Sequence, residues 1–521
     1  MLKIKNILKT ESGTRIEFFN PNSRPKRHQK VAASQPFLTN NWDTVFSATY
    51  EQLNNFIINN MEKNRDQYPQ DWQEDVLATK ITAAVKAESG SFGAWLLASA
   101  GDLSGDRLTM TWNDISCNLT IGSDDAKMSY LIKGATAYVE VSLRAVEAEP
   151  KQESGNGQMF EYKVNPVATL QTPALSIMDI DLGDVSNIPA DDIPDVLAGL
   201  TSVLESWGSK NLSAFQHVFN TFTLNGQGTD SSFNWIQPTE TAYAYQRGSE
   251  PNSSFFAVLS MVNNRSSRNS LPSLQPGSIP LGYDTCFNIS PDLMYANMIL
   301  PSMTIAFKNA NSDTFRVDNS QITLSAGQTF NLDDVSVAGS SYTPKVKNFH
   351  LKINGDQLEI YTYVCIHVSP GIDTYIETTA FYKYNLIEKN GKQYITYYEA
   401  QSPVENSWTD IADWVEITLA LIDMIVAVIG VWIGAASATA ANVSKTIIIT
   451  IVAVGLVEAV MVVAEAIPEW MAGDVPDELP PLNDLIANTA LKYTWSNDAE
   501  FTLKQASLNG TLQLSGSLVA N

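Results

Sequence analysis

The sequence predicts an α+β protein built mainly from antiparallel β-sheet, with amphipathic helices and a hydrophobic helical hairpin near the C-terminus. Three observations lead to this fold class. Of the 521 residues, 44% are hydrophobic and 10% are aromatic, a composition that can bury a large core and favours β-structure. Some segments alternate apolar and polar residues, as half-buried strands do, and others repeat apolar residues every three or four positions, as helices do. Residues 411–467 are almost continuously apolar.

An amphipathic helix is predicted to begin at Trp42. Its apolar residues recur at spacings of three and four, and they are Trp42, Val45, Phe46, Tyr50, Leu53, Phe56, Ile57 and Met61. Asn40 or Asn41 can cap this helix, Asp43 suits its positive N-terminus, and the helix should end before Pro69.

A strand and two more helices are predicted in the middle of the chain. Apolar and polar residues alternate from Ala137 to Leu143, which indicates a strand with one buried face. A helix is predicted from Ile193 to Trp207. Ser290 should cap another helix, with Pro291 at its first position.

The C-terminal half is predicted to be rich in hairpins. Residues 301–400 have the pattern of dense β-structure, with tight turns at Asn354-Gly355 and Asn390-Gly391. Residues 501–514 indicate a closing hairpin, and the Ser-, Asn-, Gly- and Pro-rich stretch 246–278 indicates a domain boundary. We therefore expect three parts, namely a tail (1–38), a first unit (39–245) and a second unit (246–521).

The first 38 residues are expected to form a basic N-terminal tail. Residues 1–30 contain eight Lys and Arg but only two Glu, so the net negative charge of the protein comes entirely from the rest of the chain. A flexible, solvated tail is the simpler interpretation, and a headgroup-binding or secretion-targeting tail is the alternative. No signal peptide is recognisable at the start, so we expect release by a leaderless route, by lysis or by a dedicated machine.

The apolar segment 411–467 differs from the rest of the chain. From Met424 to Ser444 no charged residue occurs, a length that can span a bilayer as a helix. Small residues near Ala435 and a stop at Pro468 predict two hydrophobic helices paired as a hairpin. A buried core hairpin is the simpler interpretation, whereas a lipid-lined wall and an insertable hairpin are the alternatives.

Charge, cysteines and motifs exclude several classes of function. The formal net charge of −23 repels phosphates, so we expect no nucleic-acid partner. The three cysteines lie far apart in apolar stretches, which indicates buried thiols and not a disulfide framework or a zinc site. No catalytic or phosphate-binding motif occurs, and the four histidines lack the spacing of metal ligands. We therefore expect no enzymatic activity, no metal and no cofactor.

Four stretches together carry a resemblance to a known family. They are Asn41-Trp42-Asp43-Thr44-Val45-Phe46; Phe256-Ala257-Val258-Leu259-Ser260-Met261; Ile279-Pro280-Leu281-Gly282-Tyr283 with Ile289-Ser290 and Ile299-Leu300-Pro301; and Phe501-Thr502-Leu503 with Leu508-Asn509-Gly510-Thr511-Leu512-Gln513-Leu514. In order and spacing the chain resembles, over residues 39 to 516, the P47 and OrfX proteins encoded beside clostridial botulinum neurotoxins.

This resemblance implies the tubular fold of the TULIP superfamily, in which strongly curved antiparallel sheets wrap around long amphipathic helices. It also implies a bacterial, non-catalytic lipid-binding protein that serves as a toxin accessory. The implied ligand is an acyl chain, a lipid or a phosphoinositide, and a toxin or other proteins of the same gene cluster are the implied partners. The family provides no binding residues to carry over.

The candidates for lipid contact come from the apolar faces of the predicted helices. They are Trp42, Phe46, Tyr50, Leu53, Ile57, Val428, Trp432 and Ile451. Two alternatives to a soluble lipid carrier remain open at this point. One is a membrane-inserting or pore-forming protein that uses 411–467, and the other is an adaptor whose groove binds a partner polypeptide.

Four carboxylates that interrupt the apolar segment suggest association with membranes at low pH. They are Glu416, Asp423, Glu458 and Glu465. Ionised, each opposes insertion into a bilayer, and apolar surroundings would raise its pKa towards endosomal values. The simpler interpretation is that these carboxylates face solvent at the ends of core helices.

Overall fold

The computed structural model describes most of the chain. The residues described are 2–19, 36–63, 71–78, 81–98, 107–122, 126–147, 158–164, 175–211, 221–224, 238–246, 248, 253–389, 392–435, 492–494 and 499–520.

Strands account for most of the regular structure. In chain order they are β1 (Lys3–Thr10), β2 (Gly13–Phe19), β3 (Thr44–Thr49), β4 (Asp71–Ala78), β5 (Ala83–Ser91), β6 (Trp95–Leu97), β7 (Arg107–Ile121), β8 (Met128–Glu147), β9 (Gln158–Val164), β10 (Leu175–Asp181), β11 (Thr221–Leu224), β12 (Pro238–Gln246), β13 (Phe255–Val262), β14 (Thr285–Ile289), β15 (Phe315–Val317), β16 (Ile322–Leu324), β17 (Phe330–Asn331), β18 (Val335–Val337), β19 (Ser340–Tyr342), β20 (Lys345–Asn354), β21 (Gln357–Ser369), β22 (Ile372–Lys389), β23 (Lys392–Ala412), β24 (Lys492–Thr494), β25 (Ala499–Leu508) and β26 (Leu512–Ala520).

The described helices are few, and most are short. They are α1 (Tyr50–Lys63), α2 (Ile193–Lys210), α3 (Pro291–Met294), which a π-helical turn (Tyr295–Ile299) joins to α4 (Leu300–Ala306), and α5 (residues 419–435), together with 3₁₀ turns at Ala190–Asp192 and Ser267–Asn269. Two predictions hold here. Helix α2 spans the predicted segment, and the Ser290 hydroxyl accepts the amide of Leu293 at 3.4 Å to cap α3.

The named strands form three large antiparallel sheets and one small hairpin, β18–β19. One nine-stranded sheet has the order β1-β2-β23-β22-β21-β20-β16-β15, with β17 also paired to β20. A second nine-stranded sheet has the order β24-β11-β9-β8-β7-β5-β4, with β10 on β8 and β6 on β7. A six-stranded sheet, whose strands come from three separate parts of the chain, has the order β12-β13-β3-β14-β26-β25. The predicted predominance of antiparallel β-sheet is therefore confirmed for the described part of the chain.

The predicted hairpins are present where the turn residues indicated them. Asn354 pairs with Gln357 across the β20–β21 turn, and Lys389 pairs with Lys392 across the β22–β23 turn. Leu508 pairs with Leu512 in the closing hairpin. Turn residues therefore predicted strand connection well, because a tight turn is specified by a few local positions.

The six-stranded sheet has apolar residues on both of its faces. On β3, Phe46 and Ala48 belong to the main hydrophobic core, whereas Val45 belongs to a small second cluster. The members of that second cluster are Phe37, Trp42, Val45, Ala244, Ala257, Leu259 and Met261. Strand β3 is consequently buried on both sides, and the segment that precedes it covers the outer face of the sheet.

The predicted helix from Trp42 is wrong in its first half. Residues Thr44–Thr49 form β3, and α1 begins only at Tyr50, where the Thr49 hydroxyl accepts the amide of Gln52 at 3.2 Å. Trp42 precedes β3 and packs in the small cluster with Val45, whereas Phe46 lies in the main core, so Trp42 and Phe46 share no face. The Thr, Val and Phe residues of this segment favour a strand, and pairing with β13 and β14 outweighs the helical spacing.

The predicted N-terminal tail is wrong for its first part. Residues 3–19 form the hairpin β1–β2, which pairs with β23 from Gly13 to Phe18, whereas residues 20–35 lie outside the described part. The six-stranded sheet also joins β12, which precedes residue 246, with strands that follow it. The predicted boundary at 246–278 therefore crosses a sheet, and the division into two units remains a prediction.

The apolar segment 411–467 is described only as far as residue 435. Strand β23 continues to Ala412, and α5 follows as an amphipathic helix. Its buried stripe is Ile425, Val428, Ile429 and Trp432, at helical spacing. Residues 436–467, with the second predicted helix, lie outside the described part. Among the helices that the structure describes, none combines the length and the apolar content needed to cross a membrane.

Candidate functional site

A pocket of about 590 Å³ lies beside the segment that precedes β3. Its size is within the range of small-molecule sites. It is lined by Pro36, Phe37, Leu38, Thr39, Asn40, Asn41, Trp42, Arg265, Asn269, Leu271, Ser290, Pro291, Asp292, Tyr295, Ser320, Ile353, Asn354, Gly355, Gly510 and Thr511. Three of the four stretches that carry the family resemblance contribute to this lining.

Side-chain hydrogen bonds hold the near wall of the pocket in place. Asn40 and Asn41 both adopt left-handed backbone angles, with φ of 53° and 70°, which Asn tolerates better than most residues. The side-chain amide of Asn40 donates a hydrogen bond to the Ser273 carbonyl at 2.8 Å, and that of Asn41 donates to the Asn269 carbonyl at 3.1 Å. The Trp42 indole donates to the Leu271 carbonyl at 2.9 Å. These bonds fasten the near wall to the loop after β13.

Asp43 lies directly behind this wall and is fully buried. Its carboxylate accepts a hydrogen bond from the backbone amide of Val262 at 2.9 Å and forms an ion pair with the half-exposed guanidinium of Arg265. Burial raises the pKa of the Asp43 carboxyl, and the Val262 amide and Arg265 only partly oppose that effect. The negative charge of Asp292 in the pocket raises the pKa further. Asp43 thus orders the loop that carries Arg265.

The far wall of the pocket is the β20–β21 turn, which hydrogen bonds hold in place. Asn354 donates to Glu359 at 2.7 Å, and the carbonyl of Gly355 accepts the amide of Gly510 at 2.8 Å. Burial of Glu359 disfavours its ionisation, but hydrogen bonds from Asn354, His350 and Lys352 outweigh this, so the pKa of Glu359 is lowered. Gly510 has a φ of 74°, and an added Cβ would lie 2.6 Å from the Phe37 carbonyl oxygen.

The pocket combines exposed apolar side chains with polar ones. Leu38 and Leu271 are 55% and 65% exposed, and Phe37 and Trp42 are buried beneath the pocket wall. Among the described residues of the lining, only Arg265 and Asp292 are charged, and Arg265 is already paired with Asp43. Within the described part of the chain, no group of three metal-ligating side chains occurs.

Of the predicted lipid-contact residues, only Trp42 lines this pocket. Phe46, Tyr50, Leu53 and Ile57 are buried in the main core, where burial also raises the pKa of the Tyr50 hydroxyl. Val428 and Trp432 are buried in the same core through the inner face of α5, and Ile451 lies outside the described residues. Contact between these side chains and a lipid therefore stays a prediction.

The predicted pH-sensitive carboxylates are only half described. Glu416 precedes α5, Asp423 lies on the face of α5 opposite its buried stripe, and both are exposed to solvent. Membrane association through these carboxylates at low pH therefore stays a prediction. Glu458 and Glu465 lie outside the residues that the structure describes.

Leu38 and Leu271 were missed by the sequence analysis. Leu38 follows Phe37, and Leu271 lies three residues before Leu274, but both segments contain proline and too few apolar residues to establish a strand or helix period. No periodic signal therefore marked either leucine.

Comparison with known proteins gives a consistent result. The OrfX-like family model, described as Protein OrfX2/OrfX3/P47, matches residues 39–516. The chain is similar to Protein OrfX3 of Clostridium botulinum, 24% identical over 509 residues, and to Protein OrfX3 of Paraclostridium bifermentans, 23% identical over 517 residues. Each alignment covers 92% of this chain and 98% of the relative.

Two solved structures show a similar fold. P47 from Clostridium botulinum A2 aligns with a TM-score of 0.58 at 16% identity, over 92% of this chain and 98% of that protein. P47 of Clostridium botulinum E1 aligns with a TM-score of 0.52 at 16% identity, over 91% of this chain and 98% of that protein.

Proposed function

This chain belongs to the OrfX-like family of OrfX2, OrfX3 and P47 proteins, and from that premise we propose that it is a non-catalytic lipid-binding accessory protein of a bacterial toxin gene cluster. The proposed ligand is an acyl chain held in the pocket beside Trp42. The proposal includes the tubular TULIP arrangement of the sheets and release of the protein from the bacterial cell.

The observation that carries this proposal is the exposure of Leu38 and Leu271 at a pocket whose described lining has only one charged side chain, Asp292, without an ion-pair partner. Each buried methylene of an acyl chain contributes about 0.8 kcal/mol, so binding needs no attraction to a headgroup. A phosphoinositide headgroup fits the described lining less well. No lysine occurs among the described lining residues, Asp43 neutralises Arg265, and Asp292 repels phosphate.

Lipid content and probe binding test the proposal. Organic extracts of the purified full chain should contain lipid by mass spectrometry, and the lipid-free protein should bind a fluorescent fatty acid. The double variant Leu38→Asp with Leu271→Asp should weaken this binding at least about tenfold, because two apolar contacts become charged. Leu281→Asp is the matched control, since Leu281 is fully exposed and lies outside the lining.

Two results would contradict the proposal. A wild-type protein that neither carries lipid nor binds the probe is not a lipid carrier. Equal binding by the double variant and the control would place the lipid elsewhere. In that case, Leu53→Trp with Ile57→Trp would test the predicted helix-face site, because these larger side chains would displace a chain held there.

Association with membranes is the second candidate function, and the start of α5 supports it. Trp414 and Leu419 are 71% and 81% exposed, and Trp and Leu are typical anchors at a membrane interface. Acidic neighbours, Asp413, Glu416 and Asp423, oppose binding at neutral pH. Flotation of phosphatidylserine liposomes should therefore increase from pH 7 to pH 4.5 and should fall in Trp414→Ser with Leu419→Ser. Flat binding across this pH range would exclude the second candidate.

A further inference from the structure

Strand β1 forms an outer edge of the nine-stranded sheet that contains β20–β23. Among the described residues its neighbour is β2 alone, and all eight of its residues are exposed. An edge strand presents a row of backbone N–H and C=O groups that can pair with another strand. At eight residues, β1 is longer than a typical strand and long enough to template such pairing.

The edge is protected only in part against pairing. Its three lysines and the register shift between Ile4 and Asn6 oppose indiscriminate pairing, but it contains neither Pro nor Gly, and it exposes apolar side chains on both faces. Ile7 pairs with the buried Ile16, so it lies on the core side of the sheet, yet it is 61% exposed. Leu8 pairs with Arg15 on the opposite side and is also exposed. An added strand could therefore cover an apolar residue on each face.

Three lysines flank this apolar centre and limit which strands can pair with it. Along the strand, Lys3 and Lys5 precede Ile7-Leu8, and Lys9 follows them. The net charge of the whole protein is −23. A second copy paired antiparallel about Asn6 would place Lys3 opposite Lys9 twice, and like charges that face each other destabilise a sheet. The same lysines attract a strand that carries carboxylates at both ends.

The hairpin holds this edge in a fixed position. Arg15 on β2 donates to both carboxylate oxygens of Asp410 on β23, at 2.7 and 2.9 Å, and its guanidinium lies 5.5 Å from the Trp408 ring centre. Ile16 and Phe18 are buried in the main core. A preformed edge reduces the entropic cost of binding. The hairpin also precedes residues 39–516, so it lies outside the part of the chain that matches the family model.

We propose that β1 is a docking edge for an extended acidic segment of a partner protein, which adds to the sheet as a further strand. Backbone hydrogen bonds would provide affinity, and the side-chain pattern would provide specificity. The segment should be about seven residues long, with apolar residues opposite Ile7 and Leu8 and carboxylates near Lys3, Lys5 and Lys9. A lipid surface fits less well, because hydrocarbon leaves the unpaired backbone groups of β1 without partners.

A peptide library displayed on phage tests this proposal with the full chain. Nine-residue segments selected on the wild-type protein should be enriched in Asp and Glu at both ends and in apolar residues at the centre. The triple variant Lys3→Glu, Lys5→Glu, Lys9→Glu should bind the selected peptides at least about tenfold more weakly, by fluorescence anisotropy. The matched control, Lys308→Glu, Lys345→Glu, Lys347→Glu, makes the same charge change at other exposed lysines and should retain binding.

Hydrogen exchange identifies the mode of binding. Bound peptide should slow exchange at the amides of Lys3–Thr10, and a peptide with Pro at its centre should bind weakly because it cannot donate there. Selection of peptides without acidic residues, or equal binding by both triple variants, would overturn the proposal. Two other results would also overturn it. One is a dimer of the wild-type protein that the Lys3, Lys5, Lys9 variant does not form and the control variant does. The other is binding to phosphatidylserine vesicles that only the Lys3, Lys5, Lys9 variant loses. The lipid content of both triple variants should be unchanged, which separates this test from that of the proposed function.

Discussion

The pocket beside Trp42 and the inner faces of α1 and α5 are both apolar, yet they are built in different ways. Leu53, Ile57 and Trp432 are buried at helical spacing in one continuous core. The pocket wall is instead irregular chain, fastened by hydrogen bonds from Asn40, Asn41 and Trp42 to the backbone of the loop after β13. Regular apolar spacing therefore marks core in this protein, whereas open apolar surface occurs where polar bonds hold the chain away from its neighbours.

The largest effect on stability is expected in the core. Leu53→Ala should lower the free energy of unfolding by about 2–5 kcal/mol, because it removes a fully buried side chain and leaves a cavity. Leu77→Ala, at a leucine that is two-thirds exposed on β4, should change it by less than about 0.5 kcal/mol. Urea unfolding followed by circular dichroism measures both values. Equally small changes in the free energy of unfolding for both variants would show that Leu53 lines a cavity and is not part of a packed core.

A smaller effect is expected behind the pocket wall. Asp43→Ala should cost about 1–3 kcal/mol, because the Val262 amide loses its buried acceptor and Arg265 loses its partner. Asp43→Asn keeps an acceptor for Val262 and should cost less. Since the pKa of Asp43 is raised, the folded state binds its proton first, and wild-type stability relative to Asp43→Asn should increase as pH falls through that pKa.

The opposite pH dependence at Asp43 would show that the Arg265 ion pair outweighs burial. Unfolding of the two proteins should be compared from pH 7 down to pH 3.5. Asp292→Asn is a useful third variant, because it removes a charge that raises the pKa of Asp43 without disturbing either hydrogen bond to its carboxylate.

The smallest effect is expected at the far wall. Glu359→Gln should cost about 1 kcal/mol at neutral pH, because it weakens the bonds from Asn354, His350 and Lys352. The pKa of Glu359 is lowered in the folded state, so its contribution is present above the unfolded pKa and is lost as pH falls through the folded pKa. The difference between wild type and variant should therefore vanish at low pH in urea titrations. A constant difference would indicate a packing effect.

The sequence predicted the elements whose signals are local. Ser290 and Pro291 marked a helix start, and the residues around Gly355 marked a hairpin, because one or two side chains determine such features. The sequence did not predict that Trp42 and Phe46 lie on opposite sides of a sheet, because the pairing of β3 with β13 and β14 joins residues more than two hundred positions apart. The pocket was missed for the same reason, since its two walls meet only through such pairings.

The position of β14 between β3 and β26 has a consequence for synthesis of the protein on the ribosome. Strand β3 is synthesised more than two hundred residues before its partners β13 and β14, and β14 obtains its second neighbour only after residues 512–520 have emerged. The hairpin β1–β2 likewise waits for residues 407–412 before it can pair with β23. These apolar strands therefore lack their long-range partners while several hundred residues are added, and chaperone capture of nascent chains should fall once β26 has emerged.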